Sequence, residues 1–450
     1  MQQNTTEIFR DAPVPKAVLS NVIPSIISMI MVLIYNLADT FFIGQTKNAL
    51  MVAAVSVATP AFLLFMAVGM LFGIGGTSFI SRMLGEGQEE RAKHASAFCF
   101  WTGLAVGIIS MILIVIFAEP VCKAIGASPD TIEYATQYLR IVAIGIPFLI
   151  ISNAFSNIIR SEGRAKTAMS GMIIGNMANV ILDPVMILLL GWNVAGAAIA
   201  TVIAQGISVV LCLIYIVTKA KILLPEKRHF EPDRGLYADL LAQGFSMGFM
   251  SSIIYVGSIV LQPGINSLGY ETIAGHTAAR KLFSFSMMPL SSMAQAVNTY
   301  VAQNRGADNR ERVHKGIRYA YLFCFSVTIA LIICVTPFAP TLVHLISGSS
   351  DPTVLGNGAR YLRVAIPFFF ALGLVNCSRL ALQALGEKIL PLLSSFIELF
   401  GKIIFAMVFI PRYHYSAVIW CEPIIWCFMA AELVISLYRN PYMSKGKAGN

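Results

Sequence analysis

Long apolar runs alternate with short polar breaks along the whole chain. The runs cover about 17–42, 51–81, 95–117, 132–158, 167–190, 194–218, 238–264, 272–302, 316–337, 355–383, 389–410 and 415–437. Each is near the ~20 residues that cross a bilayer as a helix. None shows the short alternating segments of a membrane barrel. The pattern predicts an all-α polytopic membrane protein with twelve transmembrane helices. Composition agrees, with 57% hydrophobic and 12% charged residues among 450, against about 25% charged in soluble domains.

The polar breaks differ in charge. "RMLGEGQEERAKH", "RSEGRAK", "KAKILLPEKRHFEPDRG", "NRGADNRERVHKGIR", "GEK" and the tail "RNPYMSKGKAGN" carry nearly all the loop Lys and Arg. The alternate breaks hold only Lys47, Lys123 and Arg412. Positive loops stay inside, so both termini and the 219–237 linker are expected in the cytoplasm. The net charge of +9 then reflects this bias and implies no nucleic-acid partner. The polar N-terminus runs into a segment long enough to remain in the membrane, so no cleavable signal peptide is expected.

The linker separates two similar halves. "GEGQEERA" begins at Gly85 and "GADNRERV" at Gly306, 221 residues on; "YLR" at Tyr138 returns at Tyr361, 223 residues on. Asn153 lies ten residues before Gly163, as Asn376 does before Gly386. The expected division is an N-terminal six-helix lobe over 1–218, a cytoplasmic linker over 219–237, and a C-terminal six-helix lobe over 238–450. Six spans per lobe give both the same orientation. Parallel repeats are related by a pseudo-two-fold axis along the membrane normal, with a substrate path between them.

There is no Walker A pattern, HExxH or GxSxG, which argues against an enzyme and against a built-in ATPase. The eight cysteines form no CxxC pair, so neither a metal site nor a disulfide frame is expected. A duplicated membrane protein without an engine suggests secondary transport, which needs an ion to couple.

Few acidic residues interrupt the spans. Asp39 stands in "VLIYNLADTFFIGQ", where an unpaired charge costs at least ~2.5–3.5 kcal/mol. At ~1.5 Å per residue, Asp39, Asp183 and Thr201 all fall in the outer half of the membrane. Asn179 precedes Asp183 by four and shares its helix face. Pro184 has no N–H and would free the carbonyl of Val180, which is tolerated at that depth only beside a polar cavity. Two carboxylates, an amide oxygen, a hydroxyl and a free carbonyl form an all-oxygen set suited to a hard cation or a proton. Against this, Asp39 could be a helix-end residue reaching the headgroups and Asp183 a cap on a broken helix. Glu398 and Lys402, four apart, read as a structural ion pair. Glu422 and Glu432 suggest no role.

"ADTFFIGQ" after the first span, with "RMLGEGQ" after the second and "AQNRGADN" after the eighth, resembles the multidrug and toxic compound extrusion (MATE) family, most closely its bacterial MepA-like branch. The resemblance covers essentially the whole chain. It implies two six-helix lobes in a V that alternate between inward-open and outward-open states, and antiport of organic compounds against Na⁺ or H⁺. In one branch two aspartates, an asparagine and a threonine bind the cation; Asp39, Asn179, Asp183 and Thr201 match them. Another branch adds acidic residues on spans 7 and 10, and this sequence has none there.

The resulting expectation is a monomeric, multi-pass antiporter of the bacterial cytoplasmic membrane. It exports organic cationic compounds, contacts membrane lipids, and uses Na⁺ or H⁺ but no cofactor and no metal beyond Na⁺. No substrate-binding residue is assigned. The alternative is a flippase for a lipid-linked precursor, for which Arg140, Arg280, Arg363 and Arg379 would be the candidate pyrophosphate ligands.

Overall fold

The computed structural model describes residues 12–46, 48–125, 127–219, 229 and 233–444. Most of the expected linker, residues 220–228 and 230–232, lies outside them. The described residues contain no strand. The helices are α1 (Val14–Gln45), α2 (Ala49–Gly85), α3 (Glu89–Ile125), α4 (Ile132–Ile144), α5 (Ile146–Ser161), α6 (Ala165–Asp183), α7 (Asn193–Thr218), α8 (Arg234–Asn266), α9 (Tyr270–Gly306), α10 (Arg310–Val335), α11 (Ala339–Ser347), α12 (Pro352–Ala365), α13 (Phe369–Ala384), α14 (Leu390–Ile404), α15 (Ile410–Arg439) and α16 (Pro441–Ser444). Two π-helical segments follow α6 and α14, Pro184–Leu189 and Phe405–Phe409.

All twelve expected runs fall on helix over nearly their whole length. By length and composition, eight helices among the described residues could cross a membrane, or nine if the pair α4–α5, bent by 47°, counts as one span. The difference from twelve has visible sources. Ser, Asn, Gln and Thr interrupt α9 in "PLSSMAQAVNTYVAQN". The stretch Leu390–Arg439 counts once, although its backbone leaves the helix at His414 (φ 49°, ψ −132°).

Local chemistry sets the helix starts. The Asn48 side chain accepts from Leu50 N at 3.0 Å, and that of Asp351 from Thr353 N at 2.7 Å and Val354 N at 3.2 Å ahead of Pro352. Such caps satisfy amide groups that a first turn leaves without partners.

Packing divides the chain into two compact units, residues 24–248 and residues 1–23 together with 249–450. The divisions fall inside α1 and α8, not in the 219–237 stretch. In the first unit α6 lies flush on α7. A methyl group on Gly175 would meet Ala204 O at 2.7 Å and Ser208 Oγ closer still, the small-residue contact typical of membrane helices. Gly196 on α7 likewise lies against the π-segment, where a methyl group would meet Met186 O at 2.7 Å.

The two units repeat one plan. Helices α1 and α8 end at Gln45 and Asn266, and the π-segments begin at Pro184 and Phe405, each 221 apart. Left-handed backbone recurs at Gly87 and Asp308, at Gly163 and Gly386, and at Asn193 (φ 50°) and His414 (φ 49°). Glycine adopts that conformation freely, whereas Asp, Asn and His adopt it at a cost, so these shared kinks fix the register between the units.

Candidate functional site

Helix α1 presents Ile27, Ile30, Ile34, Leu37 and Phe41 outward at intervals of three and four. Tyr35, Asp39 and Ile43 lie on its packed side. Asp39 is 9% exposed and Asp183 is fully buried, so neither carboxylate reaches out toward headgroups.

Three of the four residues singled out from the sequence come together in the first unit. Asn179 Nδ2 donates to Asp183 Oδ1 at 3.4 Å across one turn of α6. The Asp39 and Asp183 carboxyl groups are within hydrogen-bonding reach of each other, and Asn179 interacts with both. Thr201 is buried on α7 and its hydroxyl donates to Ala197 O at 3.0 Å. No bond from it to the carboxylates is present. Beyond Asp183 the helix widens into the π-segment that begins with Pro184, and π-turns of this kind are frequent at functional sites.

Asp39 Oδ1, Asn179 Oδ1 and Asp183 Oδ2 are buried without a donor among the described residues. Orphaned buried acceptors are costly, and two adjacent carboxylates in such a place repel one another. A proton shared by the pair, or a hard monovalent cation among these oxygens, supplies the missing positive charge. The residues present therefore fit either ion. Tyr138 on α4, not singled out by the sequence, lies within electrostatic range of both carboxylates and of Tyr35. Its local signal was the repeated "YLR".

The arginines that a pyrophosphate clamp would use have separate partners. Arg363 Nε donates to Thr336 O at 3.2 Å, and Arg379 donates to Ser394 Oγ through Nε at 3.1 Å and Nη2 at 2.7 Å. Arg280 is held by Glu422, while Arg140 lines a different cavity with Glu119 and Glu133.

The model of the MatE family matches residues 24–185 and again 247–408. The chain belongs to the MatE family. The double match, with starts 223 residues apart, is the duplication expected from the sequence. Multidrug export protein MepA of Staphylococcus saprophyticus is 25% identical over 450 residues, 98% of this chain and 97% of that protein. MepA of Staphylococcus aureus is 25% identical over 446 residues, with the same shares covered. Among solved structures, a MATE in the bent conformation matches with a TM-score of 0.92 at 24% identity, covering 100% of both chains. A MOP superfamily transporter from Pyrococcus furiosus matches with a TM-score of 0.92 at 23% identity, again over 100% of both chains. The MATE fold thus extends over this whole multi-pass membrane chain.

Proposed function

We propose that this MatE-family chain is a multidrug exporter of the bacterial cytoplasmic membrane that drives organic cations outward in exchange for H⁺ or Na⁺. The observation that carries the reading is the set of donorless buried oxygens on Asp39, Asn179 and Asp183. A cation bound there neutralises the pair. Thr201 adds a hydroxyl oxygen one helix away, and Pro184 introduces the irregular backbone beside it. The names of the staphylococcal relatives support export of drugs.

Coupling follows from differential affinity. A ligand shifts a conformational equilibrium only by the difference in its affinity for the two states. A state that holds Asp39 against Asp183 favours the bound cation. A state that exposes the pair releases it and accepts a positively charged compound in its place. The chain acts as a monomer with both termini cytoplasmic, on the strength of its loop charge.

The test is ethidium efflux from vesicles under separately imposed Na⁺ and H⁺ gradients. One or both gradients should drive dye movement. If neither moves ethidium or any other cationic dye, the exporter reading fails.

A further inference from the structure

The second unit contains a cavity of about 270 Å³ lined by Ser258, Gln262, His276, Arg280, Tyr361 and Glu422, among others. Its polar groups form one knot. Arg280 Nη1 donates to Glu422 Oε2 at 2.6 Å and to Tyr361 Oη at 2.9 Å, and Tyr361 donates to the same Oε2 at 3.0 Å. The guanidinium also lies over the Phe283 ring, 4.8 Å from its centroid. His276 stands edge-on to Tyr361 at 5.0 Å, and its Nδ1 is 3.4 Å from Tyr415 Oη.

The repeat identifies this knot. Glu422 lies eight residues past the left-handed His414, as Thr201 lies eight past the left-handed Asn193. Tyr361 and Tyr138 are the two tyrosines of the repeated "YLR". The stretch equivalent to Asp39 is residues 260–262, which places Gln262 in the cavity and provides no carboxylate. The residue 221 before Arg280 is Thr59, which carries no charge. Each unit therefore has, at the same place in its plan, a tyrosine and acidic oxygen ligands. The first unit has two carboxylates and no fixed cation; the second has one carboxylate and a guanidinium pressed against it.

The geometry points to Arg280 as a tethered cation that fills the second unit's version of the cation site. A guanidinium meets a carboxylate with several donors and stays charged at any physiological pH, so it neutralises Glu422 permanently. The site exchanges no ion, and coupling is confined to Asp39 and Asp183. This last consequence rests on the function proposed above; the identity of the knot does not. With the Arg280 side chain removed, the cavity presents Glu422, Tyr361 and Gln262 without a counter-charge, and it should accept a small external cation of the guanidinium class.

The experiment is thermal unfolding of purified full-length protein with and without millimolar methylguanidinium, using equal tetramethylammonium as the salt control. Arg280→Ala should melt below wild type and regain most of the loss in methylguanidinium, since a ligand stabilises the state that binds it. Wild type and Arg280→Ala/Glu422→Gln should not respond. If Arg280→Ala alone cannot be purified, the added Glu422→Gln should restore monodisperse protein, because it removes the unbalanced charge. The inference is overturned if methylguanidinium leaves Arg280→Ala unchanged, if it raises the double variant equally, or if Glu422→Gln rescues nothing. Because the readout is stability and not efflux, a failed transport assay leaves this result interpretable.

Discussion

Lys402 Nζ lies 2.8 Å from Glu398 Oε1, one turn away on α14, and both side chains are nearly inaccessible. The lysine stem runs against α8, where a methyl group on Gly257 would meet Lys402 Cδ at 2.8 Å. The pair thus fastens two helices of the second unit. Removing one member of a buried ion pair leaves the other charge uncompensated, at a cost on the order of 3–5 kcal/mol.

Glu398→Gln should therefore lower the melting temperature while leaving substantial efflux per folded molecule. Glu398→Gln/Lys402→Met should recover most of the stability. Complete loss of efflux from well-folded Glu398→Gln protein would place essential acid chemistry in the second unit.

Asp39→Asn and Asp183→Asn should each abolish gradient-driven efflux without reducing membrane abundance, because a neutral amide is cheaper to bury than a carboxylate. The measurement is efflux per unit of monodisperse protein. Wild-type rates in both variants would leave Asp39 and Asp183 as structural residues only.

Stability should depend on pH through Glu162, in the break between α5 and α6. It is buried, and its carboxylate oxygens have no hydrogen-bond partner among the described residues; Arg164 Nε is 3.7 Å away. Burial pushes its carboxyl up to about 7, against the opposing pull of Arg164. The folded state then binds the proton more tightly than the unfolded state does. Its contribution is fully present below the ordinary glutamate value and is lost as pH rises through about 7, by up to roughly 3 kcal/mol. Melting temperatures from pH 5 to 8 should fall in wild type and flatten in Glu162→Gln. Equal slopes in the two proteins would refute the assignment.

Loop charge fixes an orientation that thiol labelling can test. Lys123 and Lys315 are both well exposed, at opposite ends of the spans. With the exposed Cys334 and Cys427 replaced by Ser, an impermeant reagent added to intact cells should label Lys123→Cys and spare Lys315→Cys. The reverse pattern would invert the topology.

The helices were legible because an apolar run of membrane length leaves the backbone no alternative to helix. Asp39 and Asp183 were legible because each is a charge where charge is expensive. The Arg280–Glu422 knot was not: its members are 142 residues apart, and opposite charges that cancel each other leave no local anomaly. Reading it needed the register between the units, which the π-segments and the kinks at Asn193 and His414 supply and hydropathy does not. The unit divisions at Ile23 and Gly248 were equally hidden, because the apolar pattern continues through them.

The π-segments also differ in a way that bears on motion. A wide turn is a dislocation in the helical lattice, one residue too many. It can travel as successive N–H groups trade one carbonyl for the next, and each residue it passes is turned by about 100°. No step requires the helix to melt. Pro184 opens the first segment and has no N–H to trade, so the dislocation beside Asp183 cannot pass toward the carboxylate. Phe405 opens the second and sets no such stop. One lattice defect is pinned and its twin is free to slide.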